Sequence, residues 1–479
     1  MLVGAIAYLI LAVISYKYKK EKNIKFANYI VILLVIANIF VISASLYYPR
    51  GKGYVKEFIE NGAVEEKCST VNEKIENFKE AIEYIKENDK DFYRIAKKEN
   101  SYENLSVMYE YNPIQLYLSL GNQSVYNLSC DLEDNCYTST RCVNGADRRT
   151  KYMTLLANKY YICDTKDSRY VPYGYTLYHA IGETQIYLNK NYLTIGIVYD
   201  SYITKEQFEK LSPLEKEDSL ITTAMIESSE GIEIDNNDVK INSPVSLEYT
   251  VKNNKILNNT INITEEKESI ELTIDNIPSK TELYLSIDNL QHISDDNKTD
   301  FKISAKIDGI SNSEDVKDCV SSAYYMKNPN FLMNLGIGKK NQKNTLKLTF
   351  NKKGTYTFDS LEILAVDMDK YKEKIDKLKA NAMQEVEYGN NDVSGTVNTS
   401  KNGILQITTS YSDGWKAYVD EKEVEVLKVN EAFIGINVEA GEHNIRFEYE
   451  TPYLKIGMVF SIIGVLIFLV VILREPKRV

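Results

Sequence analysis

The sequence predicts a membrane-anchored protein with three transmembrane helices and a large extracytoplasmic α+β region that contains two β-sandwich-like domains. Three observations carry this expectation: three apolar runs almost free of charge, a lysine cluster between the first two, and a change of hydrophobic period to two near Ile232. The runs are Leu2 to Tyr16, Phe26 to Tyr48 and Ile456 to Leu473. At about 1.5 Å per residue, the second and third cross or nearly cross a hydrocarbon layer of roughly 30 Å, and the first is marginal. Lys17, Lys19, Lys20, Lys22 and Lys25 follow the first run, whereas a secretory signal carries its positive charge ahead of the apolar stretch. Basic residues stay on the cytoplasmic side, so this cluster and Arg474, Lys477 and Arg478 are expected inside, and everything from Pro49 to Tyr453 outside.

The resulting expectation is a pair of helices at about 2–16 and 26–48 around a basic loop at 17–25, a mixed α/β domain at 49–230 and a β-sandwich at 231–366. A helical linker at 367–391, a small β-domain at 392–453, a transmembrane helix at 454–473 and a cytoplasmic tail at 474–479 follow. The mixed domain opens on a helix with Ile75, Phe78, Ile82 and Ile85 on one face. Thr204 with Gln207, and Ser212 with Pro213 and Glu215, read as two further helix starts. The sandwich follows from alternation in Leu283, Leu285 and Ile287, in Phe301, Ile303, Ala305 and Ile307, and in Leu346, Leu348 and Phe350. Tyr371, Ile375 and Leu378 mark the linker helix, and turns at Asp420-Glu421 and Ala440-Gly441 divide the last block into strands.

Composition narrows the function classes. With 479 residues, 44% hydrophobic and 26% charged, the chain is neither disordered nor largely intramembrane. A net charge of −11 without a basic stripe excludes nucleic acid as a partner. The lysine loop and the basic tail lie on the expected inner side, so the outer part is more acidic still.

Motifs for familiar chemistry are missing. The 3 histidines are scattered, and there is no nucleophile elbow, P-loop or dinucleotide fingerprint, so no cofactor or metal site is expected. Asp367-Met-Asp369 reads as helix capping rather than a metal-nucleotide site. Cys130, Cys136, Cys142 and Cys163 are crowded together on the oxidising side and are candidates for disulfides; free thiols and metal ligation are the alternatives the spacing leaves open. Tyr411, Trp415 and Tyr418 form a candidate glycan platform, since aromatic faces stack on sugar rings; the competing reading buries Trp415 in a sandwich core.

The end of the chain carries a distinctive motif series: Tyr411-Ser-Asp-Gly-Trp-Lys-Ala-Tyr-Val-Asp420, Lys428-Val-Asn-Glu-Ala-Phe-Ile-Gly435, Ala440-Gly-Glu-His443 and Tyr449-Glu-Thr-Pro452 before the last apolar run. Upstream stand Leu155-Leu-Ala-Asn-Lys-Tyr-Tyr-Ile162, Val171-Pro-Tyr-Gly-Tyr175 and Phe208-Glu-Lys-Leu-Ser-Pro-Leu-Glu215. In this order the segments resemble the YfhO family of bacterial membrane proteins, from about Tyr48 onward; Ala157-Asn158 replaces the family's Gly-Val, and the cysteine cluster is not a family hallmark. The resemblance implies a C-type glycosyltransferase of the bacterial plasma membrane that uses a lipid-phosphate-linked sugar to decorate envelope polymers of the lipoteichoic or teichoic acid type. The family's catalytic acid lies in an early external loop that this sequence does not offer, so the chain is expected to be a non-catalytic, extracytoplasmic portion. Its expected partners are the lipid bilayer, a polytopic transferase half and an envelope glycopolymer. The alternative is a stand-alone anchored surface module that binds glycan or protein, and an envelope hydrolase, built on a nucleophile with an oriented base or on paired carboxylates, is the third class.

Overall fold

The computed structural model describes residues 29, 33, 35–37, 39–40, 76–98, 105–117, 121–134, 142–232, 234, 239–293, 301–316, 329–338 and 344–474. The chain forms two compact units, Met1–Asn77 and Phe78–Val479. In the first, Tyr29, Leu33, Val35, Ile36, Ile39 and Phe40 are helical and exposed, within the second expected span. The first expected span and the lysine loop lie outside the described residues. At the other end Leu454–Arg474 is a helix of 21 residues, and its side chains, described through Val470, are all exposed. Counting only described positions, no helix is long and apolar enough to cross a membrane.

In the second unit, the helical residues 78–88 bury Phe78, Ala81, Ile82 and Ile85. They pack on a sheet ordered Arg94–Lys97, Asn158–Asp164, Thr184–Asn189, Tyr175–Ile181, whose first pair is parallel. Tyr160 and Ile162 face that helix, while Tyr161 and Cys163 face a second core with helix Thr150–Leu155. Both faces of the strand are therefore covered, which explains why its sequence is apolar without alternation. Both helix starts form as read: Thr204 and Gln207 make one capping box, and Ser212 and Glu215 make another ahead of Pro213.

The alternating stretches form an antiparallel sandwich. One sheet is ordered Val245–Leu247, Ser360–Asp367, Thr281–Asp288, Phe331–Ile337; the other Tyr249–Val251, Ser269–Ile274, Asn344–Phe350, Phe301–Ile307, Ile310–Val316. Leu283, Leu285, Ile303, Leu346, Leu348 and Phe350 fill one shared core. Asp367 accepts from the Asp369 amide at 2.8 Å, a turn that leads into helix Tyr371–Ala380. This helix is more than a linker, because Tyr371, Ile375 and Leu378 are buried and the Tyr371 hydroxyl meets Thr154 at 2.6 Å.

The expected separation between the mixed domain and the small β-domain does not hold. One six-stranded sheet is ordered Gly196–Tyr199, Gly403–Ser410, Phe433–Val438, Leu427–Val429, Ala224–Ile226, Tyr202–Thr204, so strands from 49–230 and from 392–453 share one ladder. The strands of three and four residues on the mixed-domain side are too short to stand as a sheet, and pairing with the late strands completes their hydrogen bonding. Gly435 permits the close packing: a Cβ there would lie 2.5 Å from the Leu405 carbonyl oxygen. A second sheet, ordered Gln384–Tyr388, Asp392–Thr399, Gly441–Tyr449, Trp415–Val419, Lys422–Val424, packs on it through Val397, Leu405, Ile434, Ile436, Ile445 and Phe447.

Candidate functional site

Where the mixed domain meets the sandwich, an open polar cavity of about 390 Å³ is lined by Lys98, Asp147, Arg148, Tyr161, Lys302 and Glu314, among others. Its floor is a turn in which Gly145 (φ 106°), Asp147 (41°) and Arg148 (59°) all take left-handed conformations. Such conformations are costly for residues with a Cβ and persist where the surroundings hold them. Here Asp147 is the anchor. Its carboxylate accepts from the Asn334 amide at 2.7 Å and from Asn312 Nδ2 at 2.8 Å to each oxygen, tying the turn to two sandwich strands. Burial pushes its carboxyl upward against the pull of Arg148 and these hydrogen bonds.

Glu314 lies two residues beyond Asn312 on strand Ile310–Val316 and so points to the same face. Burial, then the charges of Asp147, Asp134 and Asp315, push its carboxyl well above the ordinary range. A protonated carboxyl both donates and accepts hydrogen bonds. At the cavity edge the Tyr170 ring has Lys98 Nζ at 4.6 Å, Arg148 at 5.1 Å and Arg169 at 5.8 Å, and its hydroxyl accepts from the Ser311 amide at 3.3 Å. The Tyr161 hydroxyl is buried against the cavity and has no hydrogen-bond partner among the described residues.

Beneath the cavity runs a buried ionic seam. Arg149, with no exposed surface, donates from Nε to Glu217 at 2.8 Å and from Nη1 to the Leu132 carbonyl at 2.6 Å. Lys151 pairs with Asp218 at 2.7 Å. Glu282, on a sandwich strand, accepts from Thr150 Oγ1 at 2.9 Å, from Tyr284 at 2.8 Å and from Asn334 at 3.2 Å; burial and then Glu217 raise its pKa. The arrangement offers donors, acceptors and a carboxyl with a raised pKa to a polyhydroxylated ligand.

The three aromatics expected to make a platform do not share a face. Strand period places Trp415, Ala417 and Val419 toward the core and Lys416 and Tyr418 away from it. Trp415 is half-buried with its ring 5.3 Å from Tyr449, and Tyr411 packs on the same core, which is the competing reading of the sequence. Tyr418 alone lines a groove of about 480 Å³ with Lys416, Asp392 and Glu448, and the Arg446 guanidinium covers its ring at 4.2 Å.

Among the cysteines, Cys163 is buried with a free thiol pushed up to about 12 by burial, so in this structure the expected staple does not reach it. Its strand sits between two cores. Cys130 is half-buried on helix Gln123–Asp131, Cys142 begins strand Cys142–Asn144, and Cys136 lies outside the described residues.

The cavity residues come from distant segments and left little trace in the sequence; Gly145-Ala-Asp-Arg was the one local sign of a special turn.

Comparison with known proteins gives a family match and weak structural likenesses. The family described as "Bacterial membrane protein YfhO" matches residues 1–461. "Uncharacterized protein YfhO" of Bacillus subtilis (strain 168) is 21% identical over 403 residues, which are 81% of this chain and 44% of that protein. The chain thus spans less than half the length of this relative. Among solved structures, the arabinofuranosyltransferase AftD from Mycobacteria overlaps 61% of this chain and 33% of its own at 9% identity and a TM-score of 0.23. A family two carbohydrate esterase from Clostridium thermocellum overlaps 25% and 30% at 12% identity and a TM-score of 0.15. Overlaps of this size carry no argument about activity.

Proposed function

The chain belongs to the YfhO family of bacterial membrane proteins, and from that premise we propose that its folded body is the extracytoplasmic, non-catalytic portion of a glycosyltransferase-like system of the cell envelope. In this reading the polar cavity holds the acceptor glycan, in a polymer of the teichoic or lipoteichoic acid type, while a polytopic partner performs transfer. The observation that carries the reading is the cavity itself. A sugar presents hydroxyls that each donate and accept, and Glu314, Tyr161, Lys98 and Arg148 answer with both kinds of group. Anchoring by three membrane helices is part of the same proposal. It is supported by the exposed apolar side chains from Leu454 to Val470, since apolar surface left in water costs about 25 cal/mol per Å².

The test uses the full chain in lipid nanodiscs and a panel of neutral hexose disaccharides, with binding followed by calorimetry. Glu314→Ala and Lys98→Ala should each weaken binding by about tenfold, whereas Glu314→Gln, which keeps a donor and an acceptor, should stay near the parent. Unchanged binding in both alanine variants with an intact melting transition overturns the assignment of the cavity. Protease added to intact cells should cut the body; protection of the body overturns its external placement.

A further inference from the structure

A second, larger opening has the opposite electrostatic character from the rest of the molecule. It has a volume of about 660 Å³ and is lined by Lys240, Lys370, Lys374, Lys377 and Lys401, with Asp200 and Glu373 as the acids on its wall. The chain as a whole has 57 basic and 68 acidic residues, so five lysines against two acids in one cleft is a local reversal of charge. The lysines come from three separate segments. Lys370, Lys374 and Lys377 fall at helical spacings of four and three, at the start of and along helix Tyr371–Ala380, beside the stripe that buries Tyr371, Ile375 and Leu378. Lys240 comes from the segment entering the sandwich, and Lys401 from the turn ahead of strand Gly403–Ser410.

The existing ion pairs leave much of this charge unspent. Lys377 reaches Asp200 at 2.9 Å, and Lys374 reaches the buried Asp218, which Lys151 also holds. Among the described residues Lys240, Lys370 and Lys401 have no carboxylate within ion-pair distance, and all three are exposed. Burial lowers the pKa of Lys374, and Lys151 and Lys370 push it the same way against the pull of Asp218. Like charges gathered in a concave wall repel one another, and focused field lines in a cleft raise the local concentration of counter-ions.

We propose that this cleft binds a phosphodiester chain. Lysine suits phosphate: its ammonium is a compact point charge that meets tetrahedral oxygens from any side. Three ammonium groups from separate segments, without an ion pair among the described residues, suit a ligand whose charge repeats along its length. The assignment uses no residue of the glycan cavity and deepens the envelope-polymer reading by giving the backbone of the polymer its own place.

The experiment uses the full chain in nanodiscs of neutral lipid and an unglycosylated glycerol-phosphate oligomer carrying a fluorophore, followed by anisotropy. Binding should weaken as ionic strength rises, because exposed charges are screened over about 8 Å at physiological salt. The double variant Lys370→Glu/Lys401→Glu, which alters exposed positions only, should weaken binding by about tenfold or more at low salt, and Lys370→Arg/Lys401→Arg should restore most of it. Glu314→Ala should leave this binding unchanged, which separates the cleft from the cavity. Equal affinity for a polycarboxylate of the same charge spacing overturns the phosphate assignment. Affinity for anionic phospholipid vesicles with none for the oligomer replaces the polymer with a membrane surface and overturns it as well. Retention of oligomer binding by the glutamate variant removes the cleft altogether.

Discussion

The two β-rich blocks are built on different principles. The sandwich closes on itself: Leu285, Ile303, Leu348 and Phe350 are fully buried among residues of its own strands. It meets the mixed domain through polar groups, the Asp147 anchor and the Glu282 seam, and through Tyr284, Leu332 and Val366, which join the apolar core of the mixed domain. The last block has no such independence, because its strand Gly403–Ser410 pairs with Gly196–Tyr199 on one side and Phe433–Val438 on the other. One block is docked, and the other is woven in. The docked interface supplies the polar cavity.

A substitution in the buried seam should uncouple the docked block from the rest of the molecule. Arg149→Ala removes the cation that holds Glu217 and lies 5.8 Å from the Tyr284 ring, leaving buried carboxylates uncompensated. A loss of roughly 3 to 5 kcal/mol is expected, measured by urea unfolding. Two separate transitions should appear, with the sandwich surviving; a single transition would show that the seam does not mark a cooperative boundary. Gly435→Ala strikes the woven sheet instead, and the contact with the Leu405 carbonyl should cost about 1 to 3 kcal/mol. Hydrogen exchange should then rise together in Gly196–Tyr199 and Gly403–Ser410 while the sandwich amides stay protected.

The smallest effect concerns acidity. The Glu314 carboxyl is raised on folding, so the folded state keeps its proton where the unfolded chain has lost it. Stability from this group is therefore full below the ordinary carboxylate range and falls as pH rises from that range toward the raised value. Glu314→Gln should flatten that fall and leave acid stability unchanged, as read from melting temperature across about pH 4 to 8. An unaltered slope would mean that Glu314 is ionised in the folded protein.

Local chemistry explains what the sequence made legible. Period-two runs located strands Phe301–Ile307 and Asn344–Phe350 because one face of each is buried, and Thr204 and Ser212 announced their helices through capping that depends on neighbours three residues away. The woven sheet was not legible, since pairing of Ile404 with Tyr199 is set by tertiary packing rather than by any local pattern. The three aromatics do not share a face for a reason already present in the sequence: positions 415 and 418 differ by an odd number along a strand, so they face opposite ways. The cavity depends on Lys98, Arg148, Tyr161 and Glu314 converging from four segments, and only the Gly145 turn hinted at it.

The ladder that joins Gly196–Tyr199 to Gly403–Ser410 also sets the order of events when the chain first emerges. Some two hundred residues must be delivered before the early strand finds its neighbour, and pairings that distant form slowly. The sandwich, encoded between the two, can condense first as a self-sufficient insert. Until the closing strands arrive, the mixed domain waits with an open β-edge, and it is during that interval, more than in the finished molecule, that protection from aggregation matters.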